Sequence, residues 1–189
     1  YQGEEQEDLK FTKAALAMVE NIDSNVGRIV AHLQKLNLED NTIIIYLSDN
    51  GPNGFRWNGG MRGKKGWVDE GGVRTPFYIQ WKDSIPAGKS IEEIASALDI
   101  LPTLAEMTNA TLKTKKVLDG KNLTPLLFGK NKAWDDRLIF NHWNGKTSVR
   151  SQNYRLDDEG RLYDMEEDLG QTKDIAMAYP RIKDSLEMA

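Results

Sequence analysis

The sequence predicts an α/β fold, with a helix-and-strand layer followed by a small antiparallel sheet plus helix subdomain. Three observations carry this. Apolar residues between Leu9 and Leu36 recur at spacings of three and four. Thr42 to Leu47 is apolar without alternation. Short strand-like runs separated by turn residues fill the chain after Arg137.

Taken in order, Ala15, Met18, Val19, Ile22, Val26, Ile29, Val30, Leu33 and Leu36 form one stripe of a long amphipathic helix, expected to be buried. Asn37 is its stop, and Glu39-Asp40-Asn41 a short polar connector. The run at 42–47 suits a strand covered on both faces, so helix, loop and buried strand point to a parallel sheet. Residues 51–75 are rich in Gly and lack a sustained period, which predicts a long loop, and loops of that length are usually functional. Phe55, Trp57 and Trp67 argue against disorder there. Residues 76–81 read as a second strand, 83–89 as a turn and 99–107 as a helix, with Pro102 tolerated in its first turn.

Residues 111–136 read as a connector carrying a short apolar element at 123–127. Strands follow at 138–143, 147–151, 154–156 and 161–163. Asn144-Gly145, Gln152-Asn153 and Asp158-Glu159-Gly160 make the turns between them, and 179–188 is a closing helix. The expected division is an α/β portion over 1–110, then the connector and small subdomain over 111–189.

Composition narrows the function. A chain of 189 residues that is 39% hydrophobic and 29% charged can build a core and lacks a disorder signature. A net charge of −4 supplies no general field for nucleic acid or an anionic membrane, and no apolar run reaches the length of a membrane span. With no Cys there are no disulfides, thiolate metal sites or Cys nucleophiles. The opening Tyr1-Gln-Gly-Glu-Glu-Gln-Glu-Asp8 has no initiator Met, which suggests a piece of something longer or a processed product.

Two stretches carry chemistry. Asp49-Asn50 closes the first strand, where ligands of open α/β sheets bind, and offers two hard oxygens of the kind Ca²⁺ or Mg²⁺ prefers. Alone it reads more readily as an Asx-turn before Gly51-Pro52. The second stretch, "MRGKKGWVDEGGVRTP" at 61–76, gathers Arg62, Lys64, Lys65 and Arg74 among glycines. Cations with approachable backbone amides suit phosphate or sulfate, and a solvated basic loop is the bland alternative. It matches neither a Walker loop nor G-x-G-x-x-G. Together the two stretches fit an ester of a strong oxyanion, with a cation to polarise it and Lys to neutralise charge. His142 and Trp143, before a turn, could meet a sugar hydroxyl and a sugar face, or pack as the edge of the small sheet. His32 reads as structural, and Asp23 and Asp99 as helix-face or capping carboxylates.

"NTIIIYLSDNGPN", "MRGKKGWVDEGGVRTPFYIQW" and "ALDILPTLAEM", in that order, strongly resemble the C-terminal half of the sulfatase family, in the alkaline-phosphatase-like superfamily. The tail "SVRSQNYRLDDEGRLYDMEEDLGQTKDIAMAYP" resembles the family's small C-terminal subdomain. The resemblance implies part of an alkaline-phosphatase-like sandwich and a sulfuric ester hydrolase. It implies Asp49 and Asn50 as ligands of one Ca²⁺ ion, and Lys65 as the catalytic lysine that contacts sulfate and helps the leaving group. Lys64 is then an extra neighbour, Arg62 a further anion contact and Arg74 structural. The family nucleophile is a formylglycine made from a C/S-x-P-x-R motif. Ser24-Asn-Val-Gly-Arg28 lacks the Pro, and the family's N-terminal Asp pair and upstream His and Lys residues have no counterpart here.

The expectation is therefore a fragment that is catalytically silent alone and partnered by a missing N-terminal half carrying the formylglycine and the remaining Ca²⁺ ligands. Its substrate is a sulfate ester, with a sulfated carbohydrate suggested by the 51–60 loop and His142-Trp143. Family tendency places the parent in the periplasm or outside the cell. The alternatives are a phosphodiesterase, phosphonate hydrolase or phosphotransferase of the same superfamily, and a non-catalytic Ca²⁺- or anion-binding module.

Overall fold

A computed structural model describes residues 5–129 and 134–189, with side chains from residue 12 onward. Residues 1–4 of the polar opening and 130–133 of the expected connector lie outside the described residues. The chain runs α1 (Glu5–Lys35), β1 (Ile43–Leu47), α2 (Glu70–Val73), β2 (Phe77–Trp81), α3 (Ile100–Met107), α4 (Thr124–Leu127), β3 (Ile139–Trp143), β4 (Lys146–Arg150), β5 (Tyr154–Leu156), β6 (Leu162–Asp164) and α5 (Pro180–Glu187), with 3-10 turns at Glu39–Asn41 and Ala97–Asp99. No described helix is long and apolar enough to cross a membrane.

Local chemistry explains the helix ends. Asn37 adopts the left-handed conformation (φ 56°). Around it the Asn37 N–H donates to the Gln34 carbonyl at 3.0 Å and the Leu38 N–H to the Leu33 carbonyl at 2.9 Å, the two bonds of a Schellman stop. Asn109 (φ 57°) ends α3 the same way, with Ala110 N–H donating to the Ala105 carbonyl at 2.8 Å.

The first sheet departs from expectation in two respects. β1 and β2 pair antiparallel, Ile43 opposite Trp81 and Leu47 opposite Phe77, where a parallel arrangement was expected. The reason lies in the connection. The Gly51 N–H donates to the Gly72 carbonyl at 2.9 Å, pinching the two ends of the long loop into a neck. A chain that returns through its own neck delivers its second strand running backwards, whereas parallel strands need a crossover. Coverage of β1 on both faces is also not found. Ile43, Ile79 and Trp81 pack on the core of Met107, Leu123, Leu126 and Leu127. Tyr78, 67% exposed, lies with its ring centre 6.2 Å from that of Tyr46 and tilted by 39°, and neither belongs to that cluster.

The apolar stripe of α1 is likewise not buried. Met18, Val19, Ile22, Ile29 and Leu36 are exposed, while Ala15, Val26, Val30 and Leu33 are half-buried. The C-terminal turn of the helix is tied to the 3-10 turn before β1, where Gln34 Nε2 donates to Glu39 Oε1 at 2.9 Å. Periodicity reports that a helix has an apolar face without saying which segment covers it.

The second sheet is a four-stranded meander, β3-β4-β5-β6, antiparallel throughout. Asn144 (φ 48°) and Gly145 (φ 77°) make the two-residue turn between β3 and β4, a position that demands positive φ twice. Its core is Val149, Leu156, Leu162, Ala176 and Leu186, with Ile182 of α5 packed alongside. Asp99, wholly buried, joins the α3 region to the start of this sheet. Its carboxylate accepts from Arg137 Nη1 at 2.7 Å on both oxygens, and from the backbone N–H groups of Ser96 and Lys121 at 2.7 Å each. The capping role expected of Asp99 is present, within a buried ion pair.

Candidate functional site

The loop between β1 and β2 is wound around Gly71-Gly72. A Cβ on Gly71 would stand 2.7 Å from the carbonyl oxygens of Arg62 and Gly63, and one on Gly72 2.3 Å from that of Trp67. Only glycine lets these backbones approach so closely. The Gly71 N–H donates to the Arg62 carbonyl at 2.7 Å, and Asn58 Nδ2 donates to the Met61 and Gly63 carbonyls at 2.9 and 3.2 Å. The expected irregular loop thus contains a short helix, α2, and a defined path.

This winding brings the two sequence signals together. Gly51, next to Asn50, is bonded to Gly72, and the Lys65 N–H donates to the Pro52 carbonyl at 2.8 Å. The Asp49-Asn50 pair and Lys65 are therefore tied to the same neck. Asp49 is exposed, Asn50 half-buried and Lys65 exposed.

The other candidates separate by what they touch. Lys64 places Nζ 4.1 Å from the centre of the Phe55 ring, a cation–π contact, and Phe55 meets Trp67 edge-on at 6.3 Å. Arg62 is engaged in structure: Nε lies 3.4 Å from Asp69 Oδ1, and Nη1 donates to Tyr163 Oη at 3.1 Å and to the Gln171 carbonyl at 3.4 Å. Arg74 Nη1 reaches Glu70 Oε1 at 3.5 Å, a tie from loop to buried carboxylate. Trp143 is 62% exposed, and a Cβ on Gly66 would stand 3.6 Å from its indole Nε1. The hairpin tip of the small sheet thus sits beside the lysine loop. His142, also exposed, has Nδ1 2.8 Å from Thr147 Oγ1. Neither residue is packed into the small sheet's core. His32 is exposed on α1.

Beneath the loop lies a set of ionised groups that sequence reading missed. Glu70 is 4% exposed, and its Oε2 lies 2.7 Å from Arg155 Nη2 and 3.5 Å from Arg150 Nε. Arg155 Nη1 also donates to the Val68 carbonyl at 2.8 Å and to Ser148 Oγ at 2.7 Å. Burial would raise the Glu70 carboxyl, but Arg155 and Arg150 outweigh it and hold the group below its ordinary range. Next door, burial pushes Asp69 up against the opposing pull of Arg62. Gln171 bridges the two acids, donating from Nε2 to Asp69 Oδ1 at 3.0 Å and accepting at Oε1 from the Glu70 N–H at 2.9 Å. One signal could have revealed this set. Arg150 and Arg155 are direct cross-strand partners, and like charges opposite one another are unfavourable without an anion between them.

The donors at the neck suit a hard cation in kind, since a carboxylate and an amide oxygen are Ca²⁺-type ligands. In number they are two of the roughly six to eight oxygens Ca²⁺ takes. No cluster of three or more His, Cys, Asp or Glu that could hold a metal occurs among the described residues. The pair fits as part of a cation site.

The model of the sulfatase family matches residues 1–110, and that of the N-sulphoglucosamine sulphohydrolase C-terminal region matches 63–186. Steryl-sulfatase of Rattus norvegicus is 38% identical over 141 residues, covering 69% of this chain and 24% of its own length. A sulfatase of Formosa agariphila is 31% identical over 214 residues, covering 95% of this chain and 38% of its own. The crystal structure of Ps i-CgsB in complex with k-i-k-neocarrahexaose superposes with a TM-score of 0.79 at 29% identity, covering 90% of this chain and 41% of that one. The chain spans less than half the length of these relatives.

Proposed function

The chain belongs to the sulfatase family, and from that premise we propose that it supplies the cation-ligand pair and the anion-contacting lysine of a sulfate ester hydrolase. The nucleophile, a formylglycine, comes from a separate N-terminal segment. The observation that supports this reading is the shared neck: the Gly51 N–H is bonded to the Gly72 carbonyl and the Lys65 N–H to the Pro52 carbonyl, so the backbone that bears Lys65 is tied to the segment that follows Asp49 and Asn50.

In this reading Asp49 and Asn50 hold one Ca²⁺, which when bound offsets the negative charge of the sulfate group. Lys65 presents an ammonium with no partner among the described side chains, free to meet the sulfate or the departing oxygen. Lys64, turned onto Phe55, adds positive potential from the side. Arg62 supports the loop through Asp69 and Tyr163 and acts on the anion at one remove. Trp143 and His142 form the wall where the organic part of the ester would lie. An exposed indole beside a ring nitrogen suits a sugar face and hydroxyl, which favours a sulfated carbohydrate. A periplasmic or secreted location goes with the same reading.

Residues 1–189 alone are expected to release no sulfate from an aryl sulfate above background. A longer polypeptide in which they follow the formylglycine-bearing segment is expected to release it catalytically. Turnover by 1–189 alone would overturn the division of labour, and a phosphate ester as the preferred substrate of the longer protein would overturn the choice of anion.

A further inference from the structure

The lysine loop is attached at its neck, through Arg62 and Gln171 to the segment after β6, and from beneath by buried charge, and these attachments differ in kind. At the neck it is held by neutral backbone bonds, from half-buried Gly51 to buried Gly72 and from exposed Lys65 to half-buried Pro52. Beneath, it is held by buried charge. Arg155, 2% exposed, grips Glu70 with one nitrogen and the Val68 carbonyl with the other, so a single guanidinium spans both sides of Asp69. Ser148 Oγ donates to the same Val68 carbonyl at 2.6 Å. Arg150 adds its Nε to the Glu70 carboxylate and its Nη1 to the carbonyls of Ser151 and Gln152, which anchors it to the turn after β4. All of these grips come from β4, β5 and the turn between them. Val68 lies three residues beyond Lys65, and the intervening turn is closed by the Trp67 N–H donating to the Lys64 carbonyl at 2.9 Å.

We propose that Glu70, held by Arg150 and Arg155, is the positioning residue of the lysine loop, so that the small sheet and not β1 sets where Lys65 stands. Charge-assisted bonds in a buried setting resist displacement more than neutral backbone bonds do. A carboxylate shared by guanidinium groups from two strands also fixes direction, because each fork accepts only a narrow range of approach. The consequence for chemistry rests on the reading of Lys65 above; the mechanical link does not, and it can be measured without substrate.

The test is residue-resolved hydrogen exchange on 1–189, comparing wild type with Glu70→Gln. The amides of Gly51 and Lys65 are expected to exchange at least ~10-fold faster in the variant, as for a locally opened segment. Those of Leu126, Leu127 and Phe128 in and beside α4 are expected to stay within about twofold. Unchanged rates at Gly51 and Lys65 would overturn the proposal, and so would equal acceleration everywhere, which marks loss of overall stability only. Should Glu70→Gln fail to fold, Arg150→Lys keeps the cation but loses the forked reach, and the same amides are expected to accelerate. Lys65→Ala serves as the companion: it removes the ammonium without touching the grip, so its exchange pattern should match wild type whatever its effect on sulfate esters.

Discussion

Gly51→Ala probes the neck directly. An ideal Cβ at Gly51 would stand 1.8 Å from the Gly71 carbonyl oxygen, 2.8 Å from its carbon and 3.1 Å from Gly72 Cα. All three are backbone atoms, so no side chain can swing aside. The backbone at Gly51 is not in the left-handed region, so alanine pays nothing in φ and the clash acts alone. Relief requires the two segments to part by more than 1 Å or so, since a carbon and an oxygen settle no closer than roughly 3 Å. At that separation the 2.9 Å Gly51–Gly72 hydrogen bond is lost. Overpacking costs about 1–3 kcal/mol and the bond about 1 kcal/mol, giving a loss of about 2–4 kcal/mol. Urea unfolding of 1–189 reads this as a lower midpoint at unchanged slope. A loss below about 1 kcal/mol, with Gly51 and Lys65 still protected from exchange, would refute the idea that the neck joins the two halves of the site.

Gly27, in the exposed middle of α1, is the counterpart. A Cβ there meets nothing within 4 Å, so Gly27→Ala is expected to stabilise by about 0.5–1 kcal/mol in the same experiment. Asp99→Ala leaves Arg137 buried without its carboxylate and the Ser96 and Lys121 N–H groups without their acceptor, and should cost about 3–5 kcal/mol in urea unfolding, whereas Asp99→Asn, which keeps an acceptor oxygen, should cost less. Acid titration of stability isolates Glu70. Its folded-state affinity for protons is lowered, so its contribution is complete above the ordinary value of 4.5 and disappears as pH falls through the lower folded value. Asp69 has the opposite sign, because a raised carboxyl binds its proton more tightly when folded and gains stability on acidification. Glu70→Gln should therefore flatten the acid limb of the stability curve below pH 4.5, and an unaltered limb would contradict the buried charge pairing.

Features written in neighbouring residues were legible. Asn37 as a helix stop, Asn144-Gly145 as a turn and the four short strands follow from local backbone preference, and the structure repeats them within a residue or so. The direction of β2 was not legible, because it depends on a neck whose halves lie twenty-one residues apart, at Gly51 and Gly72. The run at 42–47 and the stripe of α1 advertise apolar faces, but a pattern cannot name the surface that covers them. Asp49, Asn50 and Lys65 stood out as residue types in suggestive spacing, while the backbone bond from Lys65 to Pro52 could be seen only in the folded chain. Glu70 looked like one acid in a glycine-rich motif. Its weight emerges only once β4 and β5 are registered and Arg150 faces Arg155. Arg62 was read for its charge as an anion contact, and residue type alone gave no sign of its contacts with Asp69, Tyr163 and Gln171.

The assignment of Lys65 is the centre of the functional reading, and one rate measurement addresses it. In a polypeptide that joins residues 1–189 to the proposed formylglycine-bearing segment, kcat/KM for a sulfate ester is compared between wild type, Lys65→Ala and Lys115→Ala, the last an exposed lysine on the connector. Loss of a charge placed at the developing oxyanion should lower the rate by about 10²–10³-fold in Lys65→Ala, with Lys115→Ala unchanged. Activity of Lys65→Ala within twofold of wild type would contradict it.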